Sequence, residues 1–346
     1  MALRAGRRAL SRTGLVGDRL SLPSQTRATV ASMKPLGPGQ VSLRIYPHAL
    51  PARECVAEMC YQAALAERAG FSGLMTAEHH GGFSGYVPNP LQLAGWMLDA
   101  TERVWAGPCP LLLPLKHWTH VAEEVAWLAC RFPDRVGVGL AVGGLALDFE
   151  MAGLEFGEAG ARFRDALPRV TAALRGEAEP PLANDPAIGA CREAPVPVVA
   201  AVQGPVGARR AARNGVGALY DSLQTLERME EVSRAYVDAG GEGARIAIRR
   251  VWVGPPPEEA AESQMDFYRG YAVKSVQAHW GEGRELVAGA DGGEVAERLL
   301  SIAREGRCDA FNLRVHLTGV GPERVREQIE RLGEETLPIL ARELGR

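Results

Sequence analysis

From Val41 onward, short apolar runs alternate with longer stretches whose apolar residues recur at helical spacing. Val41–Tyr46, Ser72–Thr76, Val104–Leu113, Val136–Ala141, Pro197–Val202, Gly217–Tyr220, Ile246–Val253 and Asp309–Val315 read as eight strands. The helical pattern occupies Pro51–Ala69 (closed by Gly70), Pro90–Ala100, Thr119–Cys130, Gly160–Leu174, Val206–Asn214, Gln224–Ala239, Glu258 to about Ala278, Gly293–Glu305 and Pro322 to about Leu344. Strands that alternate with helices pair in parallel. Eight such units in roughly 300 residues are what a (β/α)8 TIM barrel requires. A doubly wound open sheet is the α/β alternative, but it normally shows a Gly-rich phosphate turn after its first strand. Pro47-His48-Ala49-Leu50-Pro51 stands there instead, so the predicted fold is a barrel spanning residues 39–346.

Several of these strands end in polar residues that packing does not require. Strand 2 runs into Glu78-His79-His80-Gly81-Gly82; His48, His117 and His316 follow strands 1, 3 and 8. In a closed barrel, strands 8, 1, 2 and 3 are consecutive neighbours. Five of the seven histidines then fall at the C-terminal mouth, where barrel active sites are built. A histidine near its ordinary pKa of about 6.5 exchanges protons at neutral pH. Glu78 can fix a tautomer or hold an imidazolium, and Gly81 and Gly82 let the backbone leave the strand sharply. His48, His117 and His316, taken singly, are equally explained as surface or structural histidines.

Cys109-Pro110 interrupts an apolar strand, with Pro108 beside it, and proline cannot donate a ladder hydrogen bond. The spacing implies a bulge, with a trans irregularity and a cis peptide both compatible. Cys109 has no sequence partner that would activate it, so it reads as a buried inert thiol, and Trp105 reads as a core aromatic. The fifth strand runs into Gln203-Gly204-Pro205-Val206-Gly207 and a helix carrying Arg209, Arg210 and Arg213. A glycine turn opening onto a helix N-terminus offers free N–H groups to an anion. Phe267, Tyr268 and Tyr271 read as the packing face of a helix, and His279–Gly283 as a lid.

Composition narrows the function classes. The chain has 346 residues and a formal net charge of -3, with no polybasic stretch for nucleic acid in the folded part. No apolar run approaches the roughly 20 residues of a membrane helix. Six cysteines without a C-x-x-C pair argue against a zinc knuckle or a disulfide framework, and for a reducing, cytoplasmic setting. Residues 1–38 carry six arginines against one acid, Asp18, and read as a disordered leader; an organelle transit peptide is the alternative.

Ala77-Glu78-His79-His80, the stretch Gly107–Pro114 followed by His117, and Val136–Gly143 resemble consecutive motifs of the bacterial luciferase-like monooxygenase superfamily. Ala66–Phe71, Asp148-Phe149-Glu150, Ala194–Ala200 and Glu335–Pro338 resemble it in the same order, so the likeness covers nearly everything from Val41 onward. It implies a (β/α)8 barrel of the luciferase-like type, commonly a homodimer. It implies reduced FMN, or in a sister branch the deazaflavin coenzyme F420, with a separate flavin reductase as partner and a small organic molecule as substrate. His79 matches the histidine used for acid–base work beside the flavin, with Glu78 and His80 as its supports. Cys109-Pro110 falls where the family places a cis peptide beneath the flavin ring. His48, Gly143, Gln203, Gly204, Pro205 and Arg209 complete the expected cofactor set. Two departures stand out: Val142 replaces a phosphate-binding arginine, and Ala201-Val202 replaces a Glu-Ser pair. The Gly204-Pro205 loop looks closer to the F420 branch, and the Glu-His-His run closer to the flavin branch. The leading expectation is a flavin-dependent monooxygenase with no metal. F420-dependent hydride transfer is the alternative, a metal-dependent barrel hydrolase is the rival from another class, and a barrel that binds flavin without turnover is a non-enzymatic one.

Overall fold

A computed structural model describes residues 34–271, 274–278, 280 and 286–344. Ten strands form one sheet: β1 (Val41–Arg44), β2 (Gly73–Thr76), β3 (Trp105–Pro108), β4 (Leu111–Leu112), β5 (Val138–Ala141), β6 (Val198–Val202), β7 (Gly217–Tyr220), β8 (Arg245–Val253), β9 (Leu286–Gly289) and β10 (Ala310–Arg314). Nine of them follow the order β3-β2-β1-β10-β8-β7-β6-β5-β4, parallel throughout, and β9 pairs with the far end of β8. β3 and β4 are two halves of the predicted third strand, divided at Cys109-Pro110, whose peptide bond is cis. Ala106 bridges Val136 just before β5, bringing the two sheet edges together. The result is a nearly closed parallel barrel wrapped by helices, as the alternating pattern predicts.

The helices are α1 (Ala52–Ala69), α2 (Pro90–Asp99), α3 (Trp118–Arg131), α4 (Ala146–Met151), α5 (Ala159–Ala173), α6 (Pro186–Ala190), α7 (Pro205–Arg213), α8 (Leu226–Asp238), α9 (Glu258–Tyr271), α10 (Lys274–Gln277), α11 (Gly292–Glu305), α12 (Pro322–Arg331) and α13 (Leu337–Glu343). Gly70 ends α1 in the left-handed conformation, and its N–H bonds back to the last turn. Asn89, Thr225 and Asp291 cap α2, α8 and α11 with side-chain acceptors. The single last helix predicted from the pattern is two, joined by a wide π-type turn over Leu332–Thr336. Pro338 has no N–H to return to the turn before it, which explains the break. The short helix α4 lies where the pattern predicted a loop, and α6 and β9 lie where it predicted no element.

Along each barrel strand the side chains alternate. In β1 and β10, Leu43, Phe311 and Leu313 face the helices and join the main apolar core. Ser42 and Asn312 turn inward and hydrogen-bond each other. The lower interior is filled by Met75, Trp105, Val199, Leu219 and Ile246, so Trp105 is a core residue. Leu36 packs into the same cluster at 4 % exposure. Residues 34–38 run along the N-terminal end of the barrel, where Leu36 supplies apolar volume. The Arg-rich part of the predicted leader lies outside the described residues. No helix among the described residues is long and apolar enough to cross a membrane.

Candidate active site

The C-terminal ends of the strands enclose a cavity of about 290 Å³. Its floor is apolar: Pro110, Leu112, Ala141, Val142, Leu219 and Ile248. Its walls are aromatic, with Tyr46, Phe83, Tyr86, Tyr268, Tyr271 and Trp280, and Glu78, His79, Arg44, Arg314, Gln203 and Asp221 supply polarity. A larger cleft of about 550 Å³ opens at the opposite barrel end beside Lys34, Cys191 and Gly243, and it contains no imidazole.

Glu78 leaves β2 buried at 1 % exposure. Its Oε2 accepts the Leu112 N–H at 2.6 Å and its Oε1 lies 3.0 Å from His80 Nε2. The carboxylate therefore ties the end of β2 to β4 and orients His80. That hydrogen bond, against the opposing effect of burial, pushes the His80 pKa up from its ordinary value. His79 is held by a residue to which the sequence pattern assigns no role. Its Nδ1 lies 2.8 Å from Asp148 Oδ2, while Asp148 Oδ1 accepts the His80 backbone N–H at 2.8 Å. Asp148 is buried on α4. Thus the structure assigns the support of His79 to Asp148, and Glu78 and His80 form a second pair alongside. Gly81 and Gly82 follow at φ 66° and 72°, the sharp exit the glycines suggested. The His79 ring packs on Phe83 and Tyr86, with centroids 4.9 and 4.5 Å away.

The other histidines converge only in part. His48 is buried behind the cavity, with Nε2 2.7 Å from Gln62 Nε2 and its ring 4.9 Å from that of His316. His316 stacks on Tyr46 at 5.4 Å. Burial, then Arg314 and His48, drives the His316 pKa well below its usual value. His117 sits exposed at the start of α3, bonded to Thr119 Oγ1 at 2.7 Å. Among the described residues no three His, Cys, Asp or Glu side chains are grouped to hold a metal ion.

Pro110 reaches the cavity, but Cys109 is enclosed beneath it, and burial pushes its thiol up to about 12. Gly143, at φ 90°, lines the cavity where a Cβ would lie 3.0 Å from the Phe149 ring. Gln203 lines it too, hydrogen-bonded to Asp221 Oδ2 at 3.0 Å. Gly204 and Pro205 turn away into α7, and a Cβ on Gly204 would meet Arg228 Nη2 at 2.4 Å. Arg209 is exposed and faces a groove between α7 and α8 with Glu227 and Glu230, apart from the cavity. Tyr268 and Tyr271 form cavity wall, which corrects the reading of that stretch as packing alone. The predicted lid His279–Gly283 lies outside the described residues except for Trp280.

Residues 41–337 match the family model of the luciferase-like monooxygenases. The chain belongs to that family. The F420-dependent glucose-6-phosphate dehydrogenase of Tsukamurella paurometabola is 27 % identical over 250 residues, 64 % of this chain and 72 % of the relative. The oxygenase component of the flavin-dependent trigonelline monooxygenase of Acinetobacter baylyi is 27 % identical over 124 residues, 35 % of this chain and 34 % of the relative. The monooxygenase RslO1 of Streptomyces bottropensis superposes with a TM-score of 0.71 at 20 % identity, covering 86 % of this chain and 99 % of its own. The luciferase-like barrel is therefore that of an oxidoreductase, and the family includes flavin- and F420-dependent members.

Proposed function

We propose that this chain is a flavin-dependent monooxygenase that binds reduced FMN in the mouth cavity and uses it with dioxygen on a small organic substrate. The observation that carries this reading is the Asp148–His79 pair on the wall of a cavity with an apolar floor and aromatic sides. The residues fit a flat ring system. Gly143 requires its positive φ, and a Cβ on Gly144 would meet nothing within 4 Å, so this wall stays at backbone level and open. Pro110, Leu112, Gly143 and Gly144 would hold the ring, with Gln203 toward its polar tail.

When bound, the flavin supplies the electron chemistry toward oxygen. The protein supplies binding, orientation, exclusion of water and proton control. Asp148 on Nδ1 fixes the His79 tautomer and leaves Nε2, which has no partner among the described residues, to accept or donate a proton. Phe83 and Tyr86 fix the plane of that imidazole, and Glu78 with His80 holds the loop beneath it. The oxygenase-component relative supports a separate flavin reductase as partner, and a homodimer is part of the proposal.

A second reading, oxygen-independent hydride transfer with F420, is favoured by two cavity residues. Val142 and Ala201 both face the site, and neither can pair with an FMN phosphate. Anaerobic titration of the purified protein with reduced FMN and with reduced F420 separates the two. Saturable binding of F420 alone overturns the FMN reading, and binding of neither overturns both. His79→Ala is expected to bind cofactor as the native chain does and to lose turnover by about 10²–10⁴-fold. Undiminished turnover in that variant removes the acid–base role.

A further inference from the structure

Three arginines have no part in that reading. Arg44, Arg250 and Arg314 lie on β1, β8 and β10, strands that are adjacent in the barrel, and are 3 %, 2 % and 3 % exposed. They share one compartment with phenols. The Arg314 guanidinium sits 3.9 Å from the Tyr46 ring centre, and Arg250 sits 5.3 Å from that of Tyr268. Their hydrogen bonds all go to neutral groups: Arg44 Nε to Asn312 Oδ1 at 2.5 Å, Arg250 Nη1 to the Met265 sulfur at 2.9 Å, Arg314 Nε to the His316 carbonyl at 2.9 Å and Arg314 Nη1 to the Tyr268 hydroxyl at 2.7 Å. Arg44 Nη2 and both Nε and Nη2 of Arg250 are buried with no partner at all among the described residues.

Burying a charge without a counter-ion is among the most costly things a fold does, and here it is done three times in one place. The carboxylates that line the cavity are committed elsewhere. Glu78 serves His80 and the Leu112 N–H, and Asp221 serves Gln203 and the Leu223 N–H. The local potential is strongly positive. Burial opposes ionisation of Tyr46, yet Arg314 and Arg44 outweigh it and hold that phenol below its usual range. Arg44 and Arg314 open onto the same cavity as His79.

We propose that Arg44 and Arg314, with the buried Arg250 behind them adding positive charge, form a built site for the carboxylate or phosphate group of the organic substrate, which is therefore an anion. The guanidinium fork matches both groups. β5 and β6, where the flavin reading sets the cofactor, lie beyond β7 from these strands, so the arginines are left to the second reactant. The assignment of the anion to the substrate rests on that reading; the anion site itself does not.

The test uses the full chain with benzoate and inorganic phosphate as probes and benzyl alcohol as the neutral control. Either anion, but not the alcohol, is expected to raise the melting temperature saturably in a background of constant chloride. Arg44→Met and Arg314→Met are each expected to weaken that anion by at least about tenfold, as loss of a charged hydrogen bond does. Arg250→Met guards against a folding artefact. It removes an unpaired buried charge, so it should melt higher than the native chain without anion and respond less to it. No saturable shift with either anion, or an unchanged shift in the variants, overturns the site. Anion that competes with reduced FMN or F420 shows that the arginines serve the cofactor and overturns the substrate assignment. Anion binding by a chain with affinity for neither cofactor leaves the site standing while the flavin reading fails.

Discussion

Asp148 Oδ2 lies 2.8 Å from His79 Nδ1, on a helix that begins five residues after β5, while His79 follows β2. A buried carboxylate on one imidazole nitrogen sets which nitrogen carries the proton. Asp148→Asn keeps the shape and removes that preference. The expected outcome is a loss of turnover on the order of 10²-fold, the low end of what acid–base groups contribute, with cofactor affinity unchanged. A kcat matching the native enzyme would show that Asp148 merely anchors the loop through the His80 N–H.

Two histidines give the fold opposite pH dependences. The hydrogen bond that His80 donates to Glu78 raises the His80 pKa, so its stabilisation is complete below the unfolded value of about 6.5 and disappears as pH rises through the folded value. Burial depresses that of His316, so its contribution is complete above about 6.5 and is lost as pH falls toward the folded value. Urea unfolding across this range should therefore show Glu78→Gln losing the alkaline-side decline and His316→Phe losing part of the acid-side decline. Parallel curves for native and variant proteins would remove these groups from the pH dependence.

Much of this architecture is written in local pattern. The two-residue alternation of β1 and β10 and the helical spacing between strands are enough to order a barrel, because parallel pairing follows from the crossovers. The Glu78-His79-His80 run is legible because polar residues at a strand end have few packing explanations. Asp148 is not legible in that way: it meets His79 across 69 positions, and no local period connects them. The arginines did leave a trace. Arg44, Arg250 and Arg314 interrupt apolar strands, and a charge at an inward position of a buried strand was the signal to follow. The expected convergence of histidines failed for His48, His117 and His316 because strand ends fix where a residue sits on the ring, while the turn after it decides which way it faces.

Cys109 and Gly139 face each other where β5 passes the divided third strand. A Cβ on Gly139 would lie 2.3 Å from Cys109 Sγ and 3.0 Å from its Cα. Gly139→Ala is expected to cost about 1–3 kcal/mol through overpacking. Adding Cys109→Ala removes the sulfur but leaves the crowding against the Cys109 backbone. The pair should therefore recover part of that loss and show non-additivity of about 0.5–3 kcal/mol. Urea unfolding of the two single variants, the double variant and the native chain measures this directly. Simple additivity would mean that the backbones, not the thiol, set the spacing.

Leu36 sits at the end of the barrel opposite the mouth cavity. Gly39 N–H bonds to the Asp309 carbonyl at 2.7 Å, and Gln40 Oε1 accepts from Trp105 Nε1 at 2.8 Å. These bonds hold the segment so that Leu36 enters the interior against Trp105 and Ile246. Leu36→Ala is expected to lower the unfolding free energy by about 2–5 kcal/mol, the range for a buried leucine whose cavity does not collapse. Cofactor affinity at the opposite mouth should not change, since the mouth cavity is not lined by Leu36. Tryptophan fluorescence during urea unfolding reads the first quantity, and titration reads the second. A loss within the roughly 0.5 kcal/mol typical of surface sites would detach residues 34–38 from the cooperative fold.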